Sequence, residues 1–155
     1  MLPNRPRIVA VDYGTKRVGL AVADPLRLFA QPLGTYPPDE AVERLRTLQR
    51  EEGLEALVVG WPLMADGEEG PATERVRPYF NRLRNAFPGV TLVAWDERFS
   101  SVRAKEAIRA AGAGRKARRD KGRVDRAAAA IILQEYLDEH SGSPSPFDPP
   151  HSELG

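Results

Sequence analysis

Three acidic residues, far apart along the chain, stand where a carboxylate could do chemistry. Asp12 ends an apolar run at residues 8–11, Glu97 follows an apolar segment at 90–95, and Asp125 lies at the start of the last long helical pattern. A carboxylate at the end of a buried strand is costly unless a cation or hydrogen bonds compensate its charge. Three carboxylates gathered together would repel one another unless a cation lies between them. The pattern therefore predicts a metal site formed by Asp12, Glu97 and Asp125.

The donor types favour a hard cation at such a site. The chain has no cysteine and two histidines, His140 and His151, both near its C-terminus. Oxygen ligands without nearby nitrogen or sulfur favour Mg²⁺ or Mn²⁺ over zinc. A carboxylate-held Mg²⁺ close to arginine and lysine is typical of phosphodiester hydrolysis, in which one ion activates water and another stabilises the leaving oxygen.

Basic residues cluster in the segment that precedes and includes Asp125. Residues 115–126 contain seven basic residues and two acidic ones, and glycines stand at 112, 114 and 122. We predict a loop at 113–123 that holds backbone phosphates, although any single arginine there is better interpreted as a solvated surface residue. Arg98 could instead pair with Asp96. The candidate nucleic-acid-binding residues are Lys16, Arg17, Arg98, Arg115, Lys116, Arg118, Arg119 and Lys121.

The elements that must position these residues can be read from hydrophobic periodicity. Strands are predicted at 8–12, 17–24, 28–33, 54–60 and 90–95, the first three forming an antiparallel meander with short connections. A helix capped by Asp39 carries the buried stripe Ala41, Val42, Leu45 and Leu48 and ends at Gly53. This order of elements predicts an α/β fold with a five-stranded mixed sheet, the meander plus parallel strands, flanked by helices.

Three further helices complete the layout. One presents Val76, Tyr79, Phe80, Leu83 and Phe87 on one face, with Pro78 either kinking it or marking its first turn. A short helix capped by Ser100 or Ser101 should end at Gly112, and a strong helix should run from Val124 to about Glu139. Trp61 and Trp95 are expected to pack in the core rather than to stack on bases.

The elements bring the acids to one edge of the sheet. Asp12 and Glu97 both follow strands, and the carboxyl ends of parallel strands form the usual ligand-binding edge of such a sheet. Asp125 shares a helical face with Ala129, Ile132 and Tyr136 by the 3.6-residue period, so it should point inward. The alternative for Asp125 is an acid that complements the helix dipole.

Length and composition indicate one compact unit without a membrane anchor. We expect a domain at residues 1–139 and a flexible tail at 140–155, which is rich in Pro, Ser and Gly. The formal net charge of +1 gives no global field that demands a polyanionic partner. No apolar run is long enough to cross a membrane, and no signal-peptide pattern is present. The expected location is the cytoplasm.

Four motifs in register resemble the YqgF family, the RuvX-like group of bacterial Holliday junction resolvases and pre-16S ribosomal RNA nucleases. They are DYGTKRVG at 12–19, VGWPL at 59–63 with DG at 66–67, DERFSS at 96–101, and KGRVDRAA at 121–128 continued by ILQ at 132–134. The resemblance covers residues 7 to about 138. It implies a ribonuclease H-like fold, a Mg²⁺-dependent nuclease, and an acidic triad on Asp12, Glu97 and Asp125. Ser101 departs from the threonine usual in the family but keeps a hydroxyl.

The resemblance implies precursor ribosomal RNA as the substrate, with ribosomal particles as further partners and branched DNA as the alternative. A junction-cutting enzyme would need a homodimer, whereas an RNA-processing enzyme could be a monomer. Two other classes compete with a nuclease. One is an actin-type ATPase, whose first phosphate loop resembles residues 12–15. The other is a non-catalytic RNA-binding, ribosome-associated factor, which the presence of all three acids disfavours.

Overall fold

A computed structural model describes residues 5–97 and 121–140, and in the second range it describes the side chains of residues 128–140. Five strands and three helices lie in these ranges. In chain order they are β1 (Arg7–Tyr13), β2 (Val18–Ala23), β3 (Ala30–Tyr36), α1 (Pro38–Glu52), β4 (Leu54–Trp61), α2 (Pro71–Ala86), β5 (Thr91–Asp96) and α3 (Lys121–His140).

The five strands form one mixed sheet in the order β3-β2-β1-β4-β5. The pairs β1–β2 and β2–β3 are antiparallel, while β1–β4 and β4–β5 are parallel and are joined through helices. The short connections along the first three strands explain the meander, because antiparallel neighbours need only a tight turn. The predicted five-stranded mixed sheet is confirmed.

Helices cover both faces of the sheet, with alternate residues of each strand pointing to opposite sides. Val9 and Val11 of β1 join a core with α1 and α2, in which Leu45, Leu83 and Phe87 are fully buried. Ile8 and Ala10 point to the other side, where α3 packs. We call the first side the α1/α2 face and the second the α3 face. Burial on both sides explains why β1 is a continuous apolar run.

The third strand lies two to three residues beyond its predicted position. We predicted 28–33, whereas β3 runs from Ala30 to Tyr36. The reason is the Asp24 carboxylate, which accepts hydrogen bonds from the N–H groups of Leu28 and Phe29, both at 2.7 Å. Those N–H groups are held in the turn, so the strand starts only after them.

The start of α1 also differs from the prediction. Asp39 was predicted to cap the helix, but the cap position is Pro37 and Pro38 lies in the first turn. Proline suits the first turn because its fixed φ is helical and its missing N–H would have had no partner in the helix. Asp39 therefore lies within the helix, where its carboxylate pairs with Arg82 of α2 at 2.6 Å.

Two other helix boundaries correct the sequence prediction. Helix α2 starts at Pro71, so Pro78 lies inside it and does not mark its first turn. Helix α3 starts at Lys121, three residues before the predicted Val124, so residues 121–123 of the predicted basic loop are helical despite Gly122. The predicted helix at 100–112, the rest of the basic loop and the tail from 141 lie outside the described residues.

Within residues 5–97 and 121–140, no helix combines the length and the apolar character needed to cross a bilayer.

Candidate active site

Asp12 lies near the carboxyl end of β1, on the α3 face. Its partner across the antiparallel pair is Gly19, and the preceding Val11 pairs with Val59 of β4 in parallel register. Side chains alternate along a strand, so Asp12 points to the same side as Ala10, toward α3. The Asp12 carboxyl therefore lies beside the carboxyl end of β4, where Gly60 follows Val59.

Glu97 follows β5 directly and continues its ladder by one residue. Its backbone N–H donates to the carbonyl oxygen of Trp61 at 3.2 Å. Val93 and Trp95 of β5 pack on the α3 side, so the period of two places Glu97 on that side as well. Asp12 and Glu97 thus reach the same edge and the same face of the sheet from strands on either side of β4.

Gly60 leaves the space that the Glu97 carboxylate occupies. A Cβ atom built on Gly60 would overlap Glu97 Oε2 and would lie 3.0 Å from Cδ1 of Ile132 in α3. No side chain fits there without moving the acid or the helix. This role of Gly60 was not predicted from the sequence.

The two carboxyl groups contact each other. A side-chain hydrogen bond joins Glu97 to Asp12. Burial raises the pKa of Glu97, the hydrogen bond from Asp12 partly opposes this, and the nearby charge of Asp96 raises the pKa further. Two adjacent carboxylates repel each other unless they share a proton or a cation lies between them.

The third predicted acid lies in the correct element. Asp125 belongs to the first turns of α3, and Ala129 and Ile132 of the same helix pack against the sheet near Gly60. The Asp125 side chain is outside the described residues, so the triad stays a prediction. Among the residues whose side chains are described, no group of three or more Asp, Glu, His or Cys residues could hold an ion.

A cleft of about 190 Å³ opens at this edge of the sheet, next to Glu97. The turn between β1 and β2 forms one wall and the first turns of α2 form the other. The lining residues are Tyr13, Gly14, Thr15, Gly60, Pro62, Ala72, Arg75, Val76 and Glu97. The cleft is large enough for a phosphate and the groups attached to it, and an acid lies at its base.

The predicted nucleic-acid-binding residues fall into three groups. Lys16 and Arg17 are exposed in the β1–β2 turn, beyond the lining residues Gly14 and Thr15. Lys121 is the first residue of α3, and its side chain is not described. The remaining candidates lie outside the described residues; they are Arg98, Arg115, Lys116, Arg118 and Arg119.

Arg75 lines the cleft and was missed in the sequence prediction. A usable signal was present: a loop leaves the carboxyl end of β4 and leads directly into α2, so the first turns of α2 must return to the edge that carries the acids. Arg75 lies in the fifth position of that helix.

Aromatic side chains support the two sides of the site from the core. Trp61 contacts Phe80 edge to face with ring centroids 5.3 Å apart, and Trp95 contacts Tyr136 at 5.7 Å. Both tryptophans are half-buried against the core, as predicted. Tyr13 packs on Tyr79, whose hydroxyl donates to the Pro38 carbonyl oxygen at 2.8 Å. Burial raises the pKa of Tyr79 to about 12, so it stays a neutral hydrogen-bond donor.

Comparisons with known proteins agree with this architecture. A relative from Salinibacter ruber, named as a candidate pre-16S rRNA nuclease, is 53% identical over 137 residues, which are 88% of this chain and 96% of the relative. A relative of the same name from Chlorobaculum tepidum is 47% identical over 89% of this chain and 97% of its own length.

The fold is shared with a solved nuclease structure. RuvC of Thermus thermophilus, in complex with a Holliday junction substrate, superposes with a TM-score of 0.51 over 90% of this chain and 98% of RuvC, at 20% identity. That likeness shows a ribonuclease H-like fold. The family model for RuvX, described as Holliday junction resolvase, matches residues 6–139. The chain therefore belongs to the RuvX family of nucleases.

Proposed function

We propose that this protein is a metal-dependent nuclease that processes the 5′ end of pre-16S ribosomal RNA. The observation that carries the proposal is the contact between the Asp12 and Glu97 carboxyl groups at the carboxyl edge of the sheet. Paired acids at this edge, beside an open cleft, are suited to hydrolysis of a phosphodiester bond. The family assignment favours this function over the ATPase alternative.

The donor set fits Mg²⁺ or Mn²⁺. Asp12 and Glu97 offer carboxylate oxygens, which are the ligands that these hard cations prefer. Gly60 leaves room for Glu97 to turn toward an ion, and the cleft gives access from solvent. We propose that Asp12, Glu97 and Asp125 hold the cation together. When bound, the ion would supply a Lewis acid and lower the pKa of a coordinated water.

The remaining residues of the proposal bind the nucleic acid. Lys16 and Arg17, exposed in the β1–β2 turn, would contact backbone phosphates near the cleaved bond. Arg98 would contact the same strand, and the basic segment 115–126 would contact phosphates farther along it through Arg115, Lys116, Arg118, Arg119 and Lys121. Phosphate contacts fix the register of a strand without reading its bases, so a structured substrate would be selected by shape.

Two substrates are consistent with the relatives. The two relatives, which are 53% and 47% identical to this chain, are named for cleavage of pre-16S rRNA, and this name supports RNA as the substrate. We propose ribosomal particles as the partners and the cytoplasm as the location. The family description and the fold of RuvC support a Holliday junction as the second candidate. Cleavage of a junction on both sides would require a homodimer, whereas RNA processing could be carried out by a monomer.

The test compares Asp12→Asn with Asp39→Asn. Asp39 is an exposed acid on α1 that pairs with Arg82, so it serves as a matched control away from the cleft. We expect Asp12→Asn to lose about a thousandfold in Mg²⁺-dependent cleavage, because the ion would lose a ligand worth several kcal/mol. Asp39→Asn should cleave at the wild-type rate. Equal rates for Asp12→Asn and wild type would refute the proposed metal site.

The substrate question needs both nucleic acids in one experiment. A precursor RNA that spans the 5′ end of 16S rRNA and a four-way DNA junction are each incubated with the protein and Mg²⁺. Preferential cleavage of the RNA supports the proposal, and preferential cleavage of the junction supports the second candidate. Titration of Mn²⁺ by calorimetry, in wild type and in Asp12→Asn, reports on the cation independently of activity. Binding of RNA without any cleavage would support a non-catalytic factor.

A further inference from the structure

Arg75 lies at the wall of the cleft that faces the β1–β2 turn. It is in the second turn of α2, and it lines the same cleft as Gly60 and Glu97. The position follows from topology, because the β4–α2 connection returns the start of α2 to the carboxyl edge of the sheet. A long side chain there can reach into the cleft while its helix stays packed through Val76 on the α1/α2 core.

The guanidinium of Arg75 has no acidic partner in the described part of the chain, which distinguishes it from neighbouring arginines. Arg77, two residues later, pairs with Glu69 and with Glu74 at 3.5 Å, and lies over the Trp61 ring. Arg82 pairs with Asp39. Arg84 lies over the Phe80 ring, 5.3 Å from its centroid. Arg75 makes no such contact with a described residue and is exposed.

An arginine beside an acid-lined cleft is well suited to a phosphate. Its planar guanidinium offers paired donors that match two phosphate oxygens and stays charged at any physiological pH. Arg75 forms no ion pair with Asp12 or Glu97 in the described part of the chain. Arg75 and Glu97 line the same cleft and can therefore act on different parts of one strand.

We propose that Arg75 is a substrate-binding residue that holds the backbone phosphate next to the one cleaved. The inference rests on the proposed nuclease function, which places the cleaved phosphate at Asp12 and Glu97. A strand that lies in the cleft between the β1–β2 turn and α2 would contact both Arg75 and Glu97, which line it. Arg75 thus fixes the position of the strand relative to the acids and contributes to binding rather than to bond cleavage.

The experiment compares Arg75→Gln, Arg75→Lys and Arg84→Gln in the full chain. Arg84 is the matched control, since it is an exposed arginine of the same helix that lies nine residues, or about 13 Å, from Arg75 along the helix axis. Affinity for a fluorescent precursor RNA is measured without metal over a range of salt concentrations. KM and kcat are then measured with Mg²⁺, and circular dichroism monitors folding.

We expect Arg75→Gln to raise the Kd and KM about tenfold, with kcat changed less than about twofold, because a charge-assisted phosphate contact is lost. The slope of log affinity against log salt should fall by about one, and Arg75→Lys should restore that slope. A merely structural role would not change the salt slope. Arg84→Gln should match wild type in all of these measurements.

Two outcomes would overturn the inference. One is an Arg75→Gln variant whose Kd and salt slope equal those of wild type. The other is an equal loss of affinity in Arg75→Gln and Arg84→Gln, which would indicate a general effect of charge. Either result leaves the nuclease proposal intact as long as wild type cleaves the RNA. Absence of cleavage by wild type would instead refute the nuclease proposal itself, so the two failures are distinguishable.

Discussion

The two faces of the sheet are packed with side chains of different size. The α1/α2 face is filled by Leu, Val, Tyr and Phe, with Phe87 and Leu83 fully buried. On the α3 face the strands contribute mainly small residues, including Ala10, Ala21 and Ala56, against Ile132 and Leu133 of the helix. Large interlocking side chains bury more apolar surface, so most of the packing energy belongs to the α1/α2 face.

Small residues on the α3 face serve a different purpose. Alanines and Gly60 allow α3 to approach the sheet closely, and the same absence of side chain at Gly60 makes space for Glu97. The face that carries Asp12 and Glu97 is therefore built around short distances rather than buried area. The difference predicts that mutations on the α1/α2 face change stability first, whereas mutations on the α3 face change activity first.

The largest expected effect on stability is that of Phe87→Ala. Phe87 is 0% exposed on the α1/α2 face, and its removal should lower the free energy of unfolding by about 3–5 kcal/mol. Urea denaturation measures the loss. Phe29→Ala is the matched control, because Phe29 is 64% exposed and its change should stay within about 0.5 kcal/mol. The comparison between the faces fails if the folded Phe87→Ala protein loses activity as strongly as it loses stability.

Gly60→Ala is the counterpart on the α3 face. The new methyl group would displace the Glu97 carboxylate, and a misplacement of this kind costs about a hundredfold in cleavage rate. The free energy of unfolding should fall by a smaller amount, about 1–3 kcal/mol. Gly89→Ala controls for the change of residue type, since its Cβ would meet nothing within 4 Å. Full activity of Gly60→Ala would show that cleavage does not depend on the observed position of the Glu97 carboxylate.

Gln134→Leu tests how α3 is held against β3, the outermost strand of the sheet. The Gln134 amide accepts from the Ala30 N–H at 2.9 Å and donates to the Leu28 carbonyl oxygen at 2.9 Å. Leucine fills a similar volume but leaves both backbone groups without these partners, at a cost of about 1–2 kcal/mol. Hydrogen exchange at the Ala30 amide should accelerate, while Gln49→Leu, an exposed change on α1, should not alter it. Unchanged exchange would mean that apolar packing alone holds α3.

The smallest expected effect is that of Asp24→Asn, and it depends on pH. The hydrogen bond from the Phe29 N–H lowers the pKa of Asp24; burial opposes this shift, and the N–H groups of Leu28 and Leu26 assist it. A lowered pKa in the folded state stabilises the protein above the unfolded pKa, about 3.9, and this stability is lost as pH falls through the folded pKa. Because the group is exposed, the expected loss at pH 7 is only about 0.5 kcal/mol.

Thermal melts of wild type and Asp24→Asn across pH 2 to 7 check this prediction. The difference in Tm should be constant above about pH 5 and should shrink toward zero in acid. A difference that grows as the pH falls would have the wrong sign.

Periodicity was enough to predict the sheet and to bring two acids together. The apolar run at 8–11 is typical of a strand buried on both faces, and the segment at 90–95 was predicted as a further strand, so Asp12 and Glu97 were expected to converge at the carboxyl edge. The structure confirms that contact. The position of Asp125 in α3 follows from the same periodicity, and its place in a metal site stays a prediction.

Other features depend on interactions that periodicity does not contain. The start of β3 is set by the Asp24 carboxylate, a side chain outside the strand. Asp39 is not the N-cap of α1 because Pro38 is favoured in the first turn of a helix, which moves the cap position to Pro37. The space at Gly60 and the lining role of Arg75 arise from residues of different elements that meet in three dimensions.

The backbone hydrogen bond from the Glu97 N–H to the Trp61 carbonyl oxygen affects the catalytic cycle. It forms when the chain folds, and it ties the acid to β4 before any ligand arrives. The conformational entropy of ordering Glu97 is then lost once, during folding, and not again in each catalytic cycle. Crystals grown with and without Mn²⁺ should therefore show the Glu97 backbone in the same place, with adjustment confined to its carboxylate.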